Sequence, residues 1–372
     1  MKKILLATTV LMTAYFTNAQ DITAVTGLTK GRIEFNDFRT INSNDLNASK
    51  VLLSKSDKVT IGANDTEMSK ICSCGQYIAA MTISQKGDLF YLPMSGQKVM
   101  MINTASKEGS QHNFKGLAIG QDQANYFARM TTASDGYMYA LNNAGTELLK
   151  ISDNGTVQNL GEVQGIVEKS KSFEQATAVY GGDMIADAFG NIYVFSANQQ
   201  VFKINPNNMS SEYLGQIKGL PENYTVNGAA VEKDGSVLLG TTSPFGLYTL
   251  DFNTLTAKYK ADYALAIYDL SSPYFLRQNE SNMLADSGYS LYPTVVKNSE
   301  LNITSKSDSR DILTVSIWNL NEKQVYNNTI SVRSIGDYQL KLNGSLQPGI
   351  YVLKAVNQHG KEVINTKFTL IK

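Results

Sequence analysis

Histidine is almost absent from this chain, with two in 372 residues. That leaves little room for a multi-histidine metal centre or for imidazole acid–base chemistry. Cysteine is equally scarce, with two side chains, too few for a disulfide framework. Charged residues make up 18%, below the roughly one quarter usual in globular proteins. The 33 basic and 33 acidic side chains cancel, so there is no electrostatic footprint for nucleic acid. No phosphate-cradling glycine loop, HExxH or G-x-S-x-G occurs, and nothing calls for a metal or cofactor. Past the N-terminus no apolar run approaches the roughly 18 residues of a membrane span. What remains is 42% hydrophobic, with 20 Tyr and 28 Gly and many Asn, Ser and Thr. That much apolar content excludes wholesale disorder and points to a polar, turn-rich β protein.

The first segment reads as an address. Lys2 and Lys3 precede an apolar run from Ile4 to Phe16, and Thr17-Asn18-Ala19 offers small residues for a cut. This is the pattern of a secretory signal peptide, residues 1–19, expected to leave Gln20 as the new N-terminus. No cysteine stands near the cut to carry a lipid. Charge is uneven over the rest of the chain: residues 286–372 hold ten basic and seven acidic side chains, while residues 21–285 carry about −5. Such asymmetry predicts two separate units.

A repeat occupies the middle of the chain. Segments beginning at Met81, Met130, Met184 and Ala229 each place a glycine six residues on, at Gly87, Gly136, Gly190 and Gly235. The glycines are 49, 54 and 45 residues apart, and each is followed at a similar distance by Ile102, Ile151, Ile204 or Leu250. The glycine supplies a tight turn between strands, and alternating runs such as Tyr137–Leu141 and Val201–Ile204 are strands. Four strands repeated in tandem predict β-propeller blades. After the last repeat, residues 266–270 form a first strand with nothing after it to complete a blade. The runs at 31–35, 50–53 and 58–62 are expected to supply the missing strands, joining the two ends of the domain in one composite blade. The expected fold is all-β: a five-bladed propeller over residues 20–276, with six blades as the alternative, then a linker at 277–285.

First strands line a propeller's channel. Seven residues before the glycine stand Ala80, Arg129, Asp183 and Gly228, and the composite blade contributes Asp269. Arg129, Asp183 and Asp269 should therefore converge on the axis. Enclosed charges need partners, so one reading is a hydrogen-bonded plug and another is a polar site for a sugar, peptide or cation. A third is glycoside hydrolysis, which needs two carboxylates at controlled separation; Asp183, Asp187, Glu232 and Asp269 are the candidates. Cys72 and Cys74 are read as a local disulfide or two free thiols in an exported protein. His112 is expected in a solvated polar loop.

The C-terminal residues 286–372 hold short alternating strands at 301–303, 313–318, 338–342, 350–356 and 363–371, predicting a compact, Ig-like β-sandwich. Tyr292-Pro293 followed by Leu301-Asn302-Ile303, then Val315-Ser316-Ile317-Trp318-Asn319-Leu320 with Lys323-Gln324-Val325, lead to Leu346-Gln347-Pro348-Gly349-Ile350-Tyr351 and a closing Lys367–Lys372 strand. In this order the motifs resemble the type A C-terminal sorting domain of the type IX secretion system. Thr294 stands where that family has Asn, and Glu322 where it has Gly. The resemblance implies a Gram-negative exported cargo protein, with the secretion machinery and a sortase-like peptidase as partners, and release or attachment at the cell surface. It also implies that the working part is the propeller, expected to bind an extracellular glycan or peptide. A secreted glycoside hydrolase and a non-catalytic surface scaffold are the alternatives.

Overall fold

The computed structural model describes residues 21–32, 34–61, 68–70, 78–94, 97–114, 122–165, 180–279, 288–297, 300–306, 310–342 and 346–371. The expected signal peptide and Cys72 and Cys74 lie outside the described residues, as does part of the expected linker. The chain divides into two compact units, Met1–Leu276 and Arg277–Lys372.

Five sheets build the first unit among its described residues. Four of them start with the strands the repeat places first: Ile78–Ile83, Phe127–Thr132, Gly182–Ala186 and Gly228–Val231. From each, three further antiparallel strands follow in chain order. The turn after each first strand has one construction. The amide of Gly87, Gly136, Gly190 or Gly235 donates to the carbonyl three residues earlier, and the glycine itself has a φ between 83° and 91°. An L side chain there would be strained, which is why the spacing of glycines reports the sheets.

The fifth sheet joins chain segments far apart in sequence. Its order runs Ala266–Ser271, Asp21–Gly27, Asp37–Asn42, Asp45–Ser54. Val25 pairs with Asp269 and Ala24 with Leu270. The composite sheet is thus present, but two of its three expected N-terminal strands are different ones. Residues 50–53 do lie in its outermost strand. The described residues of the stretch at 31–35 (31, 32, 34 and 35) form no strand: Gly31 sits at φ 74° and its amide donates to the carbonyl of Thr242. The strand at 58–61 belongs to the next sheet, pairing parallel with Glu108–Asn113. Asp21–Gly27 shows no polar–apolar alternation because Ile22 to Thr26 are buried on both faces.

The five first strands lie side by side in cyclic order: Ile78–Ile83 beside Phe127–Thr132, then Gly182–Ala186, Gly228–Val231 and Ala266–Ser271, which returns to Ile78–Ile83. Apolar packing follows the same cycle, each neighbouring pair of sheets enclosing its own core. Phe38 and Leu53 meet Met81 and Tyr91; Phe90 and Leu92 meet Met130 and Met138; Leu141 and Leu148 meet Met184 and Phe202. Phe195 and Val201 meet Val231 and Leu239. The cycle closes where Leu238 and Leu247 meet Ile22, Ile41 and Leu270. Alternation along each first strand serves both neighbours, Ala80 facing one core and Met81 the other. His112, expected in a loop, lies in the strand Glu108–Asn113, against Gly155.

In the second unit, one sheet orders Tyr289–Tyr292, Glu300–Ser305 and Gly336–Lys341. A second orders Val295–Val296, Glu362–Leu370, Gly349–Val356, Asp311–Asn319 and Gln324–Val332. They enclose a single apolar core that includes Leu301, Ile303, Val315, Ile317, Leu353 and Phe368.

Gly182 gives a test of how tightly the first strands pack. Its φ is 99°, and a Cβ built on it would lie 2.2 Å from the Phe195 carbonyl oxygen and 3.1 Å from Arg129 Nε. Gly182→Ala should lower unfolding stability by about 3 kcal/mol or more, combining backbone strain with a clash no rotamer relieves. Gly190→Ala, at φ 83° with nothing within 4 Å, should cost about 1 kcal/mol. Denaturant melts of the two variants would show whether crowding at the ring centre separates them.

Candidate functional site

The three charged residues expected on the axis are all there and all buried: Arg129 and Asp183 are 0% exposed and Asp269 is 2% exposed. Asp183 Oδ1 accepts the amide of Met184 at 2.7 Å. Its Oδ2 accepts the amides of Ala229 at 2.6 Å and Leu270 at 3.3 Å. One carboxyl therefore joins three first strands. Asp269 Oδ2 accepts the amide of Met81 at 2.8 Å, reaching the fourth, and the two carboxyls interact directly. From the fifth strand, Arg129 lies beside Asp183 and donates from Nη1 to the Asn142 carbonyl at 2.8 Å. Burial drives both carboxyls well above the ordinary carboxylate range. Burial also lowers the Arg129 guanidinium to about 10, against the pull of Asp183, so it stays charged at neutral pH.

Further along the same strands a hydroxyl layer continues the links. The Thr82 hydroxyl lies 3.0 Å from those of Thr132 and Ser271, and Thr132 Oγ1 donates to the Ile83 carbonyl at 2.7 Å. The other two carboxylates considered for hydrolysis serve turns. Asp187 accepts the amides of Phe189 and Asn191 and the Tyr193 hydroxyl. Glu232 pairs with Lys260 at 2.6 Å and accepts from Ser236.

Where the first strands begin, a cavity of about 260 Å³ opens, lined by strand residues of four sheets and by Asn227 and Thr242, which flank strands of the fifth. Tyr126, Tyr180, Phe35 and Tyr268 give it aromatic surface, and Gln123 and Asn227 give it amides. Tyr180 is 49% exposed. Tyr268 is fixed by its hydroxyl, which accepts the amide of Glu34 at 2.8 Å. Asn227 is held by the amide of Thr242, which donates to its Oδ1 at 3.0 Å, and its Nδ2 faces Gly181. No carboxylate is among the described residues lining this cavity, and Arg129, Asp183 and Asp269 are not among them either. The repeat carries a signal for these side chains. Ten residues before the turn glycine stand Tyr77, Tyr126, Tyr180 and Thr225, three positions ahead of the column that holds the axial charges.

Comparison with known proteins bears on the two units differently. Residues 92–268 match a repeat of unknown function, DUF6923. Residues 290–370 match the secretion system C-terminal sorting domain. No curated protein matches the sequence. Among solved structures, the chain resembles PorZ, an essential bacterial surface component of the type-IX secretion system of Porphyromonas gingivalis, at 12% identity and a TM-score of 0.34. The likeness covers 95% of this chain and 51% of that one, so the chain spans about half the length of PorZ. It also resembles virginiamycin B lyase from Staphylococcus aureus, at 12% identity and a TM-score of 0.36, covering 95% of this chain and 97% of that one. A protein of unknown function from Bacteroides caccae has 14% identity and a TM-score of 0.36, covering 86% and 94%. Likenesses this slight carry no argument about what the chain does. The order of motifs from Tyr292 to Lys372 and the match over 290–370 agree: the C-terminal unit carries a type IX secretion sorting domain, which marks the chain for export to the cell surface or secretion.

Proposed function

We propose that the chain is an exported binding protein. In this reading residues 1–19 are a signal peptide, 20–276 a five-bladed propeller, 277–285 a linker and 286–372 an Ig-like sorting sandwich removed by a sortase-like peptidase. The propeller takes an extracellular glycan or peptide at the mouth where its first strands begin. Five blades are supported by the cyclic order of the five first strands and the five separate cores between them. The observation that carries the binding role is the mouth itself, a concave surface built by strands of four sheets and the edges of the fifth, with aromatic faces and amide groups. Aromatic planes stack on sugar rings and peptide side chains, while amides meet hydroxyls or backbone groups.

Glycoside hydrolysis is the weaker reading. It requires an acid and a second carboxylate facing the same bond, and Asp183 and Asp269 instead face each other, with both Asp183 oxygens and Asp269 Oδ2 taken by backbone amides. Arg129, Asp183 and Asp269, expected to bind ligand in the channel, act in this proposal by tying together the strands that carry the mouth, without lining it. A surface scaffold is the second reading, favoured by that sealed centre.

A glycan and peptide array probed with the exported chain separates these readings. Tyr126→Ala and Tyr180→Ala should each weaken a captured glycan or peptide about tenfold, the loss of roughly 1.4 kcal/mol expected for an aromatic anchor, with melting unchanged. Retention of full affinity in both would move the site away from the mouth, and an array with no captured ligand would favour the scaffold. Removing residues 286–372 should hold the protein in the periplasm; surface display without them, seen by protease shaving of intact cells, would overturn the sorting role.

A further inference from the structure

We propose that the ring centre is a proton-binding site, in which Asp269 is a neutral carboxylic acid donating its Oδ1 hydrogen to the ionised carboxylate of Asp183. Asp183 accepts backbone amides at both oxygens, from Met184, Ala229 and Leu270, so it is built as an acceptor. Asp269 accepts the Met81 amide at Oδ2; the Leu270 amide, which donates to Asp183, also lies by its carboxyl, but its buried Oδ1 has no hydrogen-bond partner among the described groups. A carboxylate oxygen buried without a donor is unfavourable, and a proton on that oxygen turns it into the donor the neighbouring carboxylate can use.

Charge balance gives the same count. The groups facing the pair are Arg129 on Phe127–Thr132 and the two carboxyls on Gly182–Ala186 and Ala266–Ser271. The remaining strands, Ile78–Ile83 and Gly228–Val231, contain no ionisable side chain. One guanidinium against two carboxylates would leave a net negative charge buried; one shared proton makes the site neutral. The proton comes from solvent when the ring closes and returns to it when the ring opens. Burial holding both carboxyls high is consistent with this occupancy, and the two titrate as a unit. The folded state then binds more protons than the unfolded chain above the ordinary aspartate range. Stability from the site is greatest below that range and declines as pH rises toward the pair's folded value.

The two aspartates differ in what an amide can replace. In Asp269→Asn, Oδ1 can keep the Met81 amide while Nδ2 donates to Asp183, as the acid hydrogen does. In Asp183→Asn, Nδ2 must face a backbone N–H whichever way the amide turns. Infrared spectra of the full chain at about pH 5.5, where an ordinary aspartate is ionised, should show a protonated-carboxyl carbonyl band that Asp269→Asn removes. Denaturant melts from about pH 5 to 8 should show the wild-type midpoint falling with pH relative to Asp269→Asn, and Asp183→Asn should have the lowest midpoint of the three. Absence of the band in wild type, its survival in Asp269→Asn, or failure of Asp269→Asn to fold would each overturn the proposal.

Discussion

The architecture of the first unit depends on one carboxyl group. Strands gathered around a common axis turn backbone amides into a space where water cannot follow, and each such amide must find an acceptor. Asp183 accepts three of them, from its own strand and two others. Hydrogen bonds to a charged acceptor contribute about 1.5–3 kcal/mol each, so the group is comparable in weight to a fully buried side chain or more. Its effect is also different in kind. The apolar cores hold sheets together in pairs; the carboxyl ties three first strands to one point on the axis. Arg129 keeps that anion compensated, and Gly182, lacking a Cβ, gives the guanidinium space beside it.

Much of this was legible in the sequence because a left-handed turn admits glycine and little else. Gly87, Gly136, Gly190 and Gly235 set a ruler from which the axial column could be read, and Arg129, Asp183 and Asp269 fell on it. The ruler could not show that Asp183 would be taken up by amides of other strands, since backbone donors leave no mark in composition. It also failed where the chain departs from repetition. Asp21–Gly27 is sandwiched between two neighbours and has no polar face to betray its period. Lys58–Ile61 has an ordinary strand pattern, yet its partner is Glu108–Asn113, a choice made by tertiary packing alone.

The second unit was readable for another reason. Its strands alternate cleanly, Leu313, Val315 and Ile317 inward and Ile312, Thr314 and Ser316 outward or intermediate, so each strand declares its buried face. The order of motifs then identified it. The mouth of the first unit had neither advantage. Tyr126 and Tyr180 precede their strands, where no alternation applies, and their role emerges only when five strand beginnings are brought to one place.

The pairing of Asp21–Gly27 with Ala266–Ser271 has a consequence for assembly. Closing a loop of that length carries an entropic cost that no local contact offsets in advance. Until the segment at 266–271 emerges, the chain is an open arc with two raw sheet edges and an unsealed axis. The last step of construction is therefore a clasp between the earliest and latest parts of the domain. The sorting unit comes after the clasp in the chain, so it is made only once both strands of that closing pair exist.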